Sequence, residues 1–142
     1  MPSRNSICFL LTLLFLVPHS ASPAADVDFN RDVRPILSDA CFACHGPDAG
    51  QRQAELRLDQ EDGIFRSVDE VTIVDPKSPN HSELLQRINS DDADVVMPPP
   101  DSKKQLTKKQ RDILVKWVEQ GAEWEGHWSF EQPVRSEVPQ PM

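Results

Sequence analysis

Apolar residues recur at three- and four-residue steps at Phe29, Val33, Ile36, Leu37 and Ala40, the spacing of one helix face, and predict a helix over residues 30–40. Pro35 removes an amide donor and disfavours a helical Arg34, so this helix is expected to kink or to begin near residue 35. A shorter helix is predicted over 79–88, with Ser78 as N-cap, Pro79 in the first helical position, and Leu84, Leu85 and Ile88 on one face. The third pattern is the clearest. Thr107 and Gln110 make a capping-box pair, Ile113, Leu114, Trp117 and Val118 form an apolar stripe, and Gly121 supplies a stop, which together predict a helix over 107–120.

Between the first two helices the periodicity fades. Leu56, Leu58, Ile64, Phe65, Val71, Ile73 and Val74 are candidate core residues there, and 71–74 reads as a short strand or an extended segment. Pro98, Pro99 and Pro100 mark a further extended segment inside the domain. The expected fold class is therefore a small, mostly α domain with long loops, which is unusual unless something besides side chains fills its centre.

The first residues follow a different pattern. Arg4 precedes an apolar run over 7–17, and small residues follow at Ala21, Ser22, Ala24 and Ala25, the layout of a secretory signal peptide. The run is well short of the ~20 residues needed to cross a bilayer as a helix. Cys8 lies inside it and is expected to leave with the leader. The organisation read from the sequence is a signal peptide over 1–25, one domain over 26–125, and a proline-rich tail or linker stub over 126–142 containing Pro133, Pro139 and Pro141. A soluble mature chain is expected, without a membrane span, in a periplasmic or extracellular location.

With 142 residues and 38% hydrophobic content, the chain can build one small core. Its net charge is −8, and loss of the leader with Arg4 makes the remainder more acidic still. That balance argues against nucleic acid and anionic lipid as partners.

The chemistry concentrates at Cys41, Phe42, Ala43, Cys44 and His45. Two cysteines three positions apart on a helical turn, followed at once by a histidine, form the Cys-x-x-Cys-His pattern of c-type haem attachment. Cys41 and Cys44 would bond the haem periphery as thioethers, and His45 would ligate iron as the proximal ligand. Gly46 and Pro47 are expected to end the turn. A zinc site would need further ligands at short spacing, and His81 and His127 lie far apart in the chain. A thiol-disulfide oxidoreductase also uses paired cysteines, but near a βαβ pattern that is not evident. A structural disulfide across two residues is uncommon and strained.

For the sixth position the side chains able to coordinate are Met97, His81, His127 and Met142. Met97 leads because it follows Val95 and Val96 and precedes three prolines that stiffen its loop. His81 comes next, and an open sixth position last. Histidine and methionine together would raise the reduction potential relative to two histidines. Asp91, Asp92 and Asp94 read as a solvated acidic loop. Gly63 amid Asp59, Glu61 and Asp62 fails as a calcium loop, because its required sixth place puts Leu58 at the first ligand position. Trp117, Trp124 and Trp128 read as core or haem-edge packing.

An ordered set of segments resembles the planctomycete-type cytochrome c domain. It comprises Phe29, Asn30, Asp32, Val33, Pro35, Ile36 and Leu37 ahead of the Cys41 to His45 motif, then Pro79, Ser82, Glu83, Leu84 and Leu85, then Met97, Pro98 and Pro99. Leu106, Thr107, Gln110, Ile113, Trp117, Gly121 and Ala122 complete it, so that the likeness runs over residues 27–124. The resemblance implies a cytochrome c-like helical domain carrying one covalent haem c, with His45 proximal and Met97 the matching distal candidate. It also implies that such a domain usually opens a much larger secreted protein, fused to further domains. Gly126, His127, Trp128, Ser129, Phe130, Pro133 and Val134 are similar to the linker after such a domain.

The expected function is that of an extracytoplasmic monohaem c-type cytochrome, an electron-carrier module rather than an enzyme. Its partner is expected to be a redox protein with a basic docking patch, approached electrostatically and weakened by salt. Two other readings stay open: a thiol-disulfide oxidoreductase using Cys41 and Cys44, and a haem enzyme with an open sixth position.

Overall fold

A computed structural model describes residues 26–126 and residue 129. The leader over 1–25, and His127, Trp128 and Met142 of the tail, lie outside the described residues.

The helical face from Phe29 to Ala40 is present, but it is wound in two gauges. A π-helical turn, Phe29–Val33, leads into α1, Arg34–Ala40. The Arg34 N–H reaches back to the Phe29 carbonyl, closing the wider turn. Pro35, which has no N–H to give, sits in the first turn of α1, where no intrahelical donor is required. Asp28 caps the entry by accepting the Arg31 N–H at 2.7 Å, and Asp32 accepts the Asp28 N–H at 2.9 Å. Through Cys41 the chain passes into the single turn α2, Phe42–His45.

After a loop comes another short turn, α3, Glu61–Ile64, and a two-stranded antiparallel hairpin. Its strands are β1, Ser67–Val68, and β2, Val71–Thr72, with Ser67 opposite Thr72 and Val68 opposite Val71. The strand expected over 71–74 therefore covers only its first half. Val71, a candidate core residue in the sequence, is 46% exposed because it stands at the hairpin end, whereas Val74 is buried.

The helix expected over 79–88 is divided. A 3-10 turn, Pro79–His81, precedes α4, Glu83–Ile88, and Ser78 makes no side-chain capping bond. The divider is Ser82, which is fully buried with extended backbone and pairs with Thr72 in a parallel bridge. Its Oγ accepts the Asp75 N–H at 2.8 Å. A residue committed to that bridge cannot also continue the helix, so local propensity yields to a long-range contact.

The last helix, α5, spans Lys108–Glu119 and carries both arms of the expected capping box. Thr107 Oγ1 accepts the Gln110 N–H at 3.3 Å, and Gln110 Oε1 accepts the Thr107 N–H at 2.9 Å. Gly121, at φ +111°, follows the helix in a conformation that side chains resist.

The core gathers α5 onto the first helical segment. Trp117, Leu114 and Val118 are fully buried, as are Val33, Leu37 and Ile64. Phe29 packs against Trp117 and Trp124 with ring centroids 5.4 and 4.3 Å apart. The Arg34 guanidinium covers Phe29 and Trp124 at 5.0 and 5.3 Å. Trp117 Nε1–H donates to the Glu123 carbonyl at 2.9 Å. Asn30 donates to Glu125 and Gly126, and Gln120 bonds the Val27 backbone, so the two ends of the described domain are stitched together. Among the described residues, no helix is long and apolar enough to cross a membrane. A small, mostly helical domain is what the sequence led one to expect.

Candidate haem site

Cys41 closes α1, its N–H bonded to the Leu37 carbonyl at 2.8 Å, and its carbonyl accepts the His45 N–H at 2.8 Å. One turn thus fixes the spacing of Cys41, Cys44 and His45. Gly46 follows at once and is buried: a Cβ there would lie 2.3 Å from the Phe42 carbonyl oxygen, so only glycine lets the chain fold back under α2.

The returning loop is bonded to the motif along its length. The Gln53 N–H donates to the Cys44 carbonyl at 2.7 Å, and the Leu58 N–H donates to the His45 carbonyl at 2.8 Å. Gln53 also offers its own carbonyl to His45 Nδ1 at 3.3 Å. A carbonyl can only accept, so this contact puts the proton on Nδ1 and leaves the lone pair on Nε2. Burial pushes the His45 pKa below its ordinary value, opposed by the Gln53 bond and assisted by the positive charge of Arg87. The net shift favours the neutral ring, the form that ligates metals.

Both cysteines are free thiols, but their surroundings differ: Cys41 is buried and Cys44 exposed. Burial, with the neighbouring Cys44, pushes the Cys41 thiol up to about 12. A thiol-disulfide oxidoreductase needs the opposite, a thiolate favoured at neutral pH. The described strands form one antiparallel hairpin, with no βαβ unit beside the cysteines.

Met97 is tied to α4 through its backbone. Its N–H donates to the Arg87 carbonyl at 3.1 Å, at the end of α4. The Met97–Pro98 peptide is cis, and Pro98 is buried while Met97 is half-buried. Further along, Lys104 pairs with Asp39, two residues before Cys41, and Gln105 donates to the Pro99 carbonyl at 2.9 Å. The loop after α4 is therefore fastened at one end to α4 and at the other to α1. His81 is exposed on its 3-10 turn. The acidic residues Asp91, Asp92 and Asp94 are exposed in the same connection, and Asp92 Oδ1 accepts the Asp94 N–H at 2.9 Å, a turn-capping role.

These residues fit a haem better than a bare ion. Among the described residues no three of His, Cys, Asp or Glu converge as an ion-binding group. Haem c asks for something else: sulfurs at the ring periphery and an imidazole at the central iron, set apart from one another. An open cleft of about 500 Å³, lined in part by Phe65, Val74, Lys77 and Trp124, contains none of Cys41, Cys44, His45 or Met97. Gln53, Arg87 and the Asp39–Lys104 pair carry no signal in the sequence, because two of the three act through backbone carbonyls and the third depends on a contact between distant segments.

A charge pair steadies the loop beside His45. Arg57 donates to both oxygens of Asp59 at 2.6 and 2.5 Å, with both side chains largely screened from solvent. The Arg57 guanidinium holds the Asp59 carboxyl below the usual carboxylate range. A depressed folded-state pKa gives stability that is present above the unfolded value, about 4, and is lost as pH falls through the folded value. Replacing Asp59 with asparagine should therefore flatten the decline of the urea midpoint between about pH 5 and pH 2. An unaltered decline would show that other carboxylates govern acid unfolding.

Residues 41–101 match a family model described as Planctomycete cytochrome C. This bears out the resemblance over that span, which runs from Cys41 past Met97, and a cytochrome c domain implies haem c. The likeness read over 27–40 and 102–124 rests on the residues quoted for it. No curated protein and no solved structure matches the chain.

Proposed function

We propose that the chain is a monohaem c-type cytochrome that carries single electrons outside the cytoplasm. The observation that carries this reading is His45 Nδ1 held on the Gln53 carbonyl, one turn from two free cysteines, within a segment matching a cytochrome c family. Cys41 and Cys44 are the attachment points, His45 Nε2 is the proximal ligand, and Met97 is the distal ligand. When bound, the haem supplies an Fe(III)/Fe(II) couple.

The chain's own part is to hold and shield. The Gln53 carbonyl fixes the imidazole tautomer and orientation and raises its basicity as a ligand. The Arg87 carbonyl and the Asp39–Lys104 pair restrain the two ends of the methionine loop. Buried Cys41 and its neighbours Leu37 and Ile36 provide apolar surroundings for the attached edge. The export leader over 1–25 and the extracytoplasmic location are part of this proposal and rest on the sequence pattern. So does the partner, a redox protein with a basic patch; the exposed acids at 91, 92 and 94 lie in the connection that leads to Met97 and suit such a docking face.

The test is expression of the full chain in a host competent for cytochrome c maturation, followed by denaturing electrophoresis with haem detection and by absorption spectra of both oxidation states. Covalent haem is expected, with the weak long-wavelength band that a thioether ligand gives ferric haem. Met97→Ala should abolish that band and lower the midpoint potential by on the order of 0.1 V, within the ~0.8 V that axial ligands command. A band and potential that survive Met97→Ala would transfer the sixth position to another ligand, with His81→Ala as the next variant.

A further inference from the structure

The loop that presents Gln53 to His45 contains two consecutive non-glycine residues in the left-handed region, Ala54 at φ 54° and Glu55 at φ 49°. Side chains resist that conformation, and it persists where surrounding contacts over-determine it. The turn is closed by the Leu56 N–H on the Gln53 carbonyl at 3.1 Å, and it is braced by Arg66, eleven and twelve residues further along the chain, between α3 and β1. One terminal nitrogen of its guanidinium donates to the Glu55 carbonyl at 2.9 Å and the other to the Ala54 carbonyl at 3.3 Å. Its Nε is screened from solvent and has no partner among the described residues, so the side chain's grip on the turn is made by its two terminal nitrogens. Arg66 is itself held in place through its backbone, whose carbonyl accepts the Ile73 N–H at 3.0 Å.

We infer that Arg66 is a positioning residue for the axial histidine: by clamping the Ala54–Glu55 turn it aims the Gln53 carbonyl at His45 Nδ1. This rests on His45 being the iron ligand proposed above. The chain of contacts is short and each link is directional. The guanidinium fork fixes two successive carbonyls, which fixes the peptide planes that follow Gln53. The Gln53 carbonyl, one peptide earlier, is thereby held where it accepts both the Leu56 N–H at 3.1 Å and His45 Nδ1 at 3.3 Å. Planarity and paired donors are what arginine offers and lysine does not, since a lysine ammonium would meet the two carbonyls as a point charge.

Loosening that aim weakens the bond from Nδ1–H, makes the imidazole a poorer electron donor, and favours the reduced iron. The experiment compares the parent with Arg66→Gln and Arg66→Lys, each matured with haem. It reads the midpoint potential and the hydrogen-exchange rate of the His45 Nδ1 proton in the reduced protein by NMR. Arg66→Gln should raise the potential and accelerate the exchange at least tenfold, with Arg66→Lys between it and the parent. Val118→Ala, which removes buried side-chain volume from α5 and touches none of these contacts, should leave both readings near the parent and serves as the control for general destabilisation.

Unchanged exchange and potential in a haem-bearing Arg66→Gln protein would overturn the inference while leaving the cytochrome reading intact. Equal shifts in Val118→Ala would also overturn it, by showing general stability rather than aim. Should Arg66→Gln fail to fold, Arg66→Lys carries the test alone, and parent values in it would count against the clamp. If the parent itself acquires no haem, the reading of the site fails first.

Discussion

A chain carrying Cys41→Ala and Cys44→Ala together should emerge from a maturation-competent host with no haem that survives denaturation, whereas either single variant should retain a haem attached through one sulfur. The expected effect is a complete loss of covalently bound cofactor. In the proposed reading the two thiols are the covalent anchors, fixed on one turn by the bonds from the Cys44 and His45 N–H groups to the Cys41 carbonyl. His45→Ala should separate attachment from ligation: haem is expected to stay bound through the sulfurs, and the spectrum is expected to lose its low-spin character if His45 is the proximal ligand. In the unattached chain the exposed Cys44 should react with a thiol reagent well before Cys41, whose burial and raised pKa keep it protonated. Rapid and equal reaction of both thiols, with a reversible disulfide and no haem, would instead establish the dithiol reading.

The largest loss of stability is expected from Trp117→Ala. This side chain is fully buried, touches Phe29, and donates its indole N–H to the Glu123 carbonyl. Truncating a buried aromatic residue costs about 3–5 kcal/mol, and here a carbonyl also loses its partner. Against the ~5–15 kcal/mol that holds a typical domain, that is enough to unfold much of the population. Urea titration of the haem-bearing protein should show a markedly lower midpoint with an unchanged slope. Val71→Ala, at an exposed hairpin position, should stay within about 0.5 kcal/mol of the parent. A Trp117→Ala midpoint near that of Val71→Ala would mean that the haem, and not the aromatic cluster, dominates the core.

Some of the molecule was legible in short windows of sequence because short-range physics decides it. The capping box at Thr107 and Gln110, the apolar stripe through Trp117 and the stop at Gly121 are local, and α5 forms where they place it. The motif from Cys41 to His45 is local too, since one turn of helix sets its spacing. Proline set the entry of α1 for the same reason, although the π-helical turn before it depends on a carbonyl left free to accept the Arg34 N–H.

Tertiary contacts decided the rest. Ser82 interrupts the helix expected over 79–88 because it is drawn into a bridge with Thr72, and Val71 leaves the core because the hairpin turns it outward. Residue type at 53, 66, 87 and 104 says nothing of how His45 or Met97 is held. Gln53 and Arg87 act through carbonyls that every residue possesses, Arg66 binds carbonyls eleven and twelve positions away, and Lys104 finds Asp39 across 65 positions. Local pattern set α5 and the Cys-x-x-Cys-His turn, where spacing along the chain is also spacing in space. Only the folded backbone decided how the histidine ring is oriented and where the methionine loop is tied, because those depend on hydrogen bonds between residues that meet only after the chain has closed on itself.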